Sequence, residues 1–167
     1  MAPDQKKYNS PADLMVQHGE KDSPFSAEIN EKWFLCCEND MGIQRIRFVF
    51  LENSGIFEYV NGQGSKQIKF GMGYNIFDYF PQRGYSDSKG NIHDDQSPFM
   101  LQSATSGAWI ERQKLMLRVQ IIDRYFGSVM MTFGFRDSRT VGIRMIKTAE
   151  DFLNEYNGWA IGYAQKE

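Results

Sequence analysis

The sequence is poor in the residues most often recruited for chemistry. Its 167 residues include two cysteines and two histidines. The cysteines are adjacent, Cys36 and Cys37, and neighbours on a strand point to opposite faces, so a bridge between them would need a strained turn. Two ordinary thiols, one buried and one partly exposed, are the simpler expectation. Neither a disulfide framework nor the Cys/His spacing of a zinc site is present, and no metal or cofactor is expected. His18 sits in a polar N-terminal stretch. His93-Asp94-Asp95 can in principle hold a cation, but it lacks the alternating ligand spacing of a calcium loop and reads as solvated loop.

Charge of one sign is missing too. The 19 basic and 21 acidic residues leave a net charge of −2, which provides no field to steer a polyanion, and the longest basic run is Lys6-Lys7. Neither nucleic acid as a partner nor a lipid-headgroup patch is therefore expected. No apolar run approaches the ~20 residues of a membrane span, and residues 1–17 lack the hydrophobic stretch of a signal peptide. Taken as complete, the chain is expected in the cytoplasm; a preceding segment, if there is one, would set its location instead. Phosphate loops are lacking as well. Gly71-Met72-Gly73 has no third glycine and no following helix, and Gly62-Gln63-Gly64 belongs to a hairpin.

What the sequence has is aromatic surface. Aromatics make up 14% of the chain, with 13 Phe and 8 Tyr, and hydrophobic residues 41%. Large flat side chains suit pleated sheets. Residues 1–26 hold three of the five prolines and little periodicity, so they read as a linker-like N-terminal arm, with one or two helical turns conceivable near residues 10–17. Residues 27–167 read as one domain. Trp33, Leu35 and Cys37 alternate before a turn at 39–42. Ile46, Phe48 and Phe50 alternate against Arg45 and Arg47. A turn at 52–55 leads to a run over 56–60, then Asn61-Gly62, a strong hairpin signal because both residues tolerate positive φ. Ile68 and Phe70 follow. A short strand is expected at 77–80, a long polar loop over 83–96, and further strands at 99–101 and 108–111. The clearest element has Leu115, Leu117, Val119 and Ile121 on one face. Val129, Met131, Phe133 and Phe135 form another, and Val141, Ile143 and Met145 the last.

With no helix between them, these strands must pair antiparallel, since parallel pairing needs long crossovers. So many strands close into a barrel or split into a sandwich, and a meander of adjacent hairpins favours the barrel. A C-terminal helix is expected over 148–157, capped by Thr148 with Asp151 three residues on, carrying Phe152, Leu153 and Tyr156 as its apolar stripe and stopped by Asn157-Gly158. The expected fold is mainly β: an antiparallel meander closing into a lipocalin-like β-barrel of about eight to ten strands with one C-terminal α-helix.

Three short matches point towards serine chemistry: Ser86-Asp87-Ser88-Lys89 fits S-x-x-K, Tyr59-Val60-Asn61 fits Tyr-x-Asn, and Lys147-Thr148-Ala149 resembles K-T-G. Each fixes only two or three positions. A working S-x-x-K opens a helix, so that Lys lies one turn from Ser and the dipole favours the anion. Here it lies in a polar loop ahead of Gly90-Asn91, and the motif order is reversed. No catalytic residue is assigned, and the isolated chain is not expected to be an enzyme. A barrel of this size is filled by side chains or holds one ligand. Trp33, Trp109, Arg118, Tyr125 and Phe133 are the candidates for lining such a cavity, with ordinary core packing the reading to beat.

The runs from Leu115 to Ile122, Tyr125-Phe126-Gly127, Thr132-Phe133-Gly134-Phe135, Lys147-Thr148-Ala149-Glu150 and Phe152 to Tyr156 form one series. With Ser23-Pro24-Phe25, Trp33 and the stretch from Glu38 to Ile43, that series resembles the C-terminal lipocalin-like domain appended to β-lactamase-related serine hydrolases, the class C and penicillin-binding-protein-like group. The resemblance covers Ser23 to Tyr163 in hydrophobic pattern rather than in catalytic motif. It implies a non-catalytic accessory domain packed beside a hydrolase catalytic domain in cis, which would carry the active site. The alternative, from a different class, is a free-standing barrel binding a small apolar ligand, for which an open interior is the expected sign and a solid core the adverse one.

Overall fold

The computed structural model describes residues 14–83, 100–123, 126–149 and 152–166. Ten strands make one sheet: β1 (Phe34–Cys36), β2 (Arg45–Phe50), β3 (Ser54–Asn61), β4 (Gly64–Met72), β5 (Ile76–Arg83), β6 (Met100–Glu111), β7 (Lys114–Ile122), β8 (Phe126–Asp137), β9 (Thr140–Thr148) and β10 (Gly158–Ala164). Their order is β4-β3-β2-β1-β10-β9-β8-β7-β6-β5, and every neighbouring pair is antiparallel. The sheet closes on itself where the end of β4 lies parallel to β6, with Gly71 opposite Ser106 and Met72 opposite Gly107. Nine strands thus form the closed ring, and β5 runs back beside the first half of β6. The expected β-barrel is the observed architecture.

Period-two alternation puts one face of each strand inside. On β3 the inward row is Gly55, Phe57, Tyr59 and Asn61, and on β7 it is Leu115, Leu117, Val119 and Ile121. β6 breaks the expected pattern. The β6 strand is continuous although residues 102–107 are small and polar. Ser103 and Thr105 face inward and are buried, while Ala104, Ser106 and Ala108 are buried on the outer face. That outer burial comes from residues 15–20. The amide of Met15 donates to Gln120 Oε1 (2.9 Å), that of Gln17 donates to Ser106 Oγ (2.9 Å), and Glu20 and Trp109 exchange backbone hydrogen bonds. The described part of the N-terminal arm is therefore laid on the barrel wall.

The C-terminal helix is the expectation the structure corrects. Over 148–157 the described residues hold the end of β9, a left-handed residue at Leu153 (φ 64°) and a single 3₁₀ turn, Asn154–Tyr156. The apolar side chains read as a helical stripe, Phe152, Leu153 and Tyr156, are all buried, but as a plug across one barrel end rather than as a docked helix. The chain then forms β10, which closes the ring between β9 and β1. A four-residue helix, α1 (Ser26–Ile29), lies at the opposite end, where Phe25 packs against Phe135 (5.5 Å between ring centroids) and edge-on to Trp109 (6.5 Å).

Between the two ends the interior is occupied by aromatic rings. Phe48 on β2 meets Phe133 on β8 at 4.8 Å, and Phe57 on β3 meets the same ring at 4.9 Å. β2 and β8 lie on opposite sides of the ring, so these contacts span it. Phe70 also reaches the centre, and it fits because its neighbours are glycines: a Cβ on Gly55 would stand 2.4 Å from Phe70 Cζ, and one on Gly107 2.9 Å from Phe70 Cδ2.

Candidate functional site

Two of the five expected lining residues are inside. Trp109 and Phe133 are buried, Trp109 among Phe25 and Phe50 at the α1 end, Phe133 in the central ring stack. Trp33 and Arg118 are not inside, which corrects that expectation. Both precede or alternate with inward residues (Phe34; Leu117 and Val119), so the pleat turns them outward. Trp33 lies beneath two guanidinium groups, Arg45 at 4.3 Å and Arg47 at 4.7 Å from its ring centroid, and Arg118 reaches Met15 Sδ across the outer wall. Tyr125 lies outside the described residues, as do Ser86, Lys89 and His93.

The polar feature that sequence reasoning missed lies at the plugged end. Tyr59 on β3 and Tyr156 in the 3₁₀ turn are both fully buried, their hydroxyls 2.6 Å apart, with either able to donate. Glu155 beside them is buried to 1% exposure. Lys66 stands directly opposite Tyr59 in the β3–β4 register, so it shares the inner face. Its Nζ donates to the Pro81 carbonyl on β5. Phe80 is buried next to it, 5.0 Å from the Tyr156 ring. Asn61, Ser103 and Thr105 add buried polar side chains on the flanking strands.

Electrostatics follow from burial. Removal from water holds the Tyr59 and Tyr156 hydroxyls well above the ordinary phenol range, and the carboxylate of Glu155 pushes both further; the hydrogen bond from its partner pulls Tyr59 back in part. Burial lowers the Lys66 ammonium, while Glu155 pulls it back up. Only Lys66 carried a signal in the sequence: it has the parity of Ile68 and Phe70, the apolar face of its strand, and not that of Gln67 and Lys69. Tyr59 looks like one more core aromatic.

Position gives the cluster its interest. Over Gly64–Phe70, β4 pairs with β3 alone, and β5 pairs with β6 alone; among the described residues no backbone ladder joins β4 to β5. Lys66 spans that seam with a side chain. Among the described residues, the wall thus lacks a backbone ladder beside the buried Tyr59–Tyr156–Lys66 cluster. Among the described residues no group of three His, Cys, Asp or Glu side chains is placed to hold a metal, and no helix is long and apolar enough to cross a membrane. Cys36 and Cys37 are both free, half-buried and exposed respectively; burial first and the neighbouring Cys37 second push the Cys36 thiol up to about 12, so it is a poor nucleophile.

No family model matches the chain, and no curated protein does. Solved structures do. The fatty-acid-binding protein isolated from Manduca sexta is 10% identical, with a TM-score of 0.48, over 83% of this chain and 99% of its own. A fatty-acid-binding protein from brain tissue of Drosophila melanogaster is 8% identical, with a TM-score of 0.48, over 82% and 99%. Both are matched across nearly their whole length. The resemblance to a domain appended to β-lactamase-related serine hydrolases, and the catalytic domain in cis that it implied, are corrected: no family model matches the chain, that of such a domain included, and the hydrophobic alternation that carried the resemblance is common to antiparallel barrels at large.

Proposed function

We propose that this chain is a non-enzymatic barrel that takes one small, mainly apolar ligand bearing a single polar group, entering at the β4–β5 seam. The observation that carries the reading is the buried polar cluster of Lys66, Tyr59, Tyr156 and Glu155 on the inner face at the unladdered stretch of wall. A solid barrel has no use for an amine, two hydroxyls and a carboxylate in its interior, because each costs desolvation that an apolar side chain avoids. A ligand carboxylate or hydroxyl would replace the Pro81 carbonyl as partner of Lys66 and meet the tyrosine hydroxyls. Its apolar body would take the space of Phe80, the buried ring nearest the seam. The central Phe48–Phe133 contact limits depth, so the ligand occupies the plugged half of the barrel.

Titration with a saturated series from octanoate to palmitate, and with the matching alcohols, tests the reading. Saturable one-to-one binding is expected, with Lys66→Met weakening the carboxylates about tenfold or more and the alcohols less, because hydrogen bonds to charged groups are the stronger ones. Absence of saturable binding across both series would overturn it. The ring contacts across the centre favour a second reading, in which the interior is only scaffold and the outer surface does the work. That reading predicts no binding in either series.

A further inference from the structure

The outer wall carries a feature that the interior does not explain. Along β10 the large side chains point out and the small ones in: Trp159, Ile161 and Tyr163 are exposed, while Ala160 and Gly162 face the core. Trp159 is 67% exposed and Tyr163 51%. The β1 and β9 neighbours extend the stripe, since Leu35 lies opposite Tyr163 and Ile146 is exposed on β9. Beside Ile161 the next outward positions across the sheet are Gly142 and then Gly134, where a Cβ would meet almost nothing. Exposing a Trp, a Tyr and three aliphatic side chains on one contiguous sheet face is costly unless something covers them.

Charge says what that something is. The outward positions of β1, β2, β9 and β10 hold Arg45, Arg47 and Arg144 and no carboxylate. Arg144 stands directly opposite Trp159, and Arg45 directly opposite Leu35. Arg47 is paired with Glu58 on β3 at 2.5 Å, while Arg45, stacked on the Trp33 ring, and Arg144 flank the stripe. Lys32, Arg139 and Lys166, with Glu31, line a groove at its α1 end; Glu38 and Asp40 lie in the loop at the other end, and Asp137 at the end of β8 accepts from the Arg139 amide. A second copy docking face to face would bring arginine against arginine with no carboxylate on those strands to answer it. A partner with negative charge and apolar depth fits instead. Base stacking or an acidic peptide would use the arginines and aromatics but not Leu35, Ile146 and Ile161, whereas aliphatic, Trp and Tyr side chains ringed by arginine suit the boundary between headgroups and acyl chains.

We infer that the β1–β10–β9 face docks the barrel onto an anionic lipid surface, with Trp159, Ile161 and Tyr163 entering the interfacial layer and Arg45 and Arg144 meeting lipid phosphates and carboxylates. Such docking is peripheral and does not depend on a ligand inside the barrel. Co-sedimentation of the full chain with phosphatidylcholine vesicles, with and without about one third phosphatidylserine, tests it. Binding is expected on the anionic vesicles, weakened by salt. Trp159→Ser should lower the partition about tenfold or more from lost apolar burial, and Arg144→Gln about fivefold on anionic vesicles alone. Leu51→Ser, an exposed apolar position in the β2–β3 turn, should leave binding unchanged. Four outcomes would overturn the inference: no binding to anionic vesicles at low salt, equal binding to neutral ones, undiminished binding by Trp159→Ser, or a dimer in solution that the same substitution dissociates. Quenching of Trp159 by an oligonucleotide or by polyglutamate with vesicles inert would also overturn it.

Discussion

Tyr59 and Tyr156 show how much a single buried pair decides. Each hydroxyl is fully withdrawn from water and satisfied by the other at 2.6 Å. Tyr59→Phe leaves the Tyr156 hydroxyl short of that partner and is expected to cost about 1–3 kcal/mol, with Tyr156→Phe similar; the double variant should cost clearly less than the two together. Equal additivity in urea unfolding would show that the hydroxyls do not act as a pair. The same residues set an alkaline limit. Tyr59, Tyr156 and Cys36 all hold their protons in the fold more tightly than in the unfolded chain. Their contribution is complete below about pH 9 and is lost as pH rises, because unfolding then releases protons that the fold retains. Lys66 acts oppositely: burial lowers its pKa, so its contribution improves with pH, and Lys66→Met should steepen the alkaline fall. Replacing both tyrosines with Phe should flatten it, and an unchanged slope would remove them as its source.

At the scale of elements, legibility in the sequence tracked which face was buried. Strands whose inward positions are an unbroken apolar row, β2, β7, β8 and β9, are placed as the alternation indicates, β3 is placed where the run over 56–60 lies, and the 61–64 hairpin follows from Asn61-Gly62. In β10 the period-two alternation is present but its face is inverted: Trp159, Ile161 and Tyr163 face out while the core side is Ala160 and Gly162. Gly162 must be small, since a Cβ there would stand 3.1 Å from Val141 Cγ1 and 3.3 Å from Phe34 Cβ. Gly162→Val is therefore expected to destabilise by about 1–3 kcal/mol through overpacking, whereas Trp159→Ser should change stability by less than about 0.5 kcal/mol. Thermal unfolding of the two variants distinguishes a strand packed this way from one with its large side chains inside. β6 was read as two fragments for a related reason, its middle being covered on the outer face by residues 15–20, a tertiary contact that no local pattern announces. The plug at 152–156 shows the reverse error. Its apolar spacing fits a helical stripe, yet the left-handed Leu153 bends the chain so that the same side chains fill a barrel end.

For the molecule as a whole, closure and opening are the two sides of one topology. The ring is complete only because two residues of β4 pair with β6, and below that clasp the wall between β4 and β5 depends on side chains, Lys66 among them. Candidate lining residues could not be picked from the sequence because inward and outward aromatics look alike until register is known: Trp33, just before β1, lies outside under two arginines, and Trp109, on β6, lies inside. The direct test of the account is backbone amide hydrogen exchange, with and without saturating dodecanoate. Ligand entry at the seam predicts added protection in β4 over Gly64–Phe70, in β5 around Phe80 and at Tyr156, with β7, β8 and β9 unchanged. Exchange that dodecanoate leaves unaltered at the seam, or alters evenly around the barrel, would contradict it.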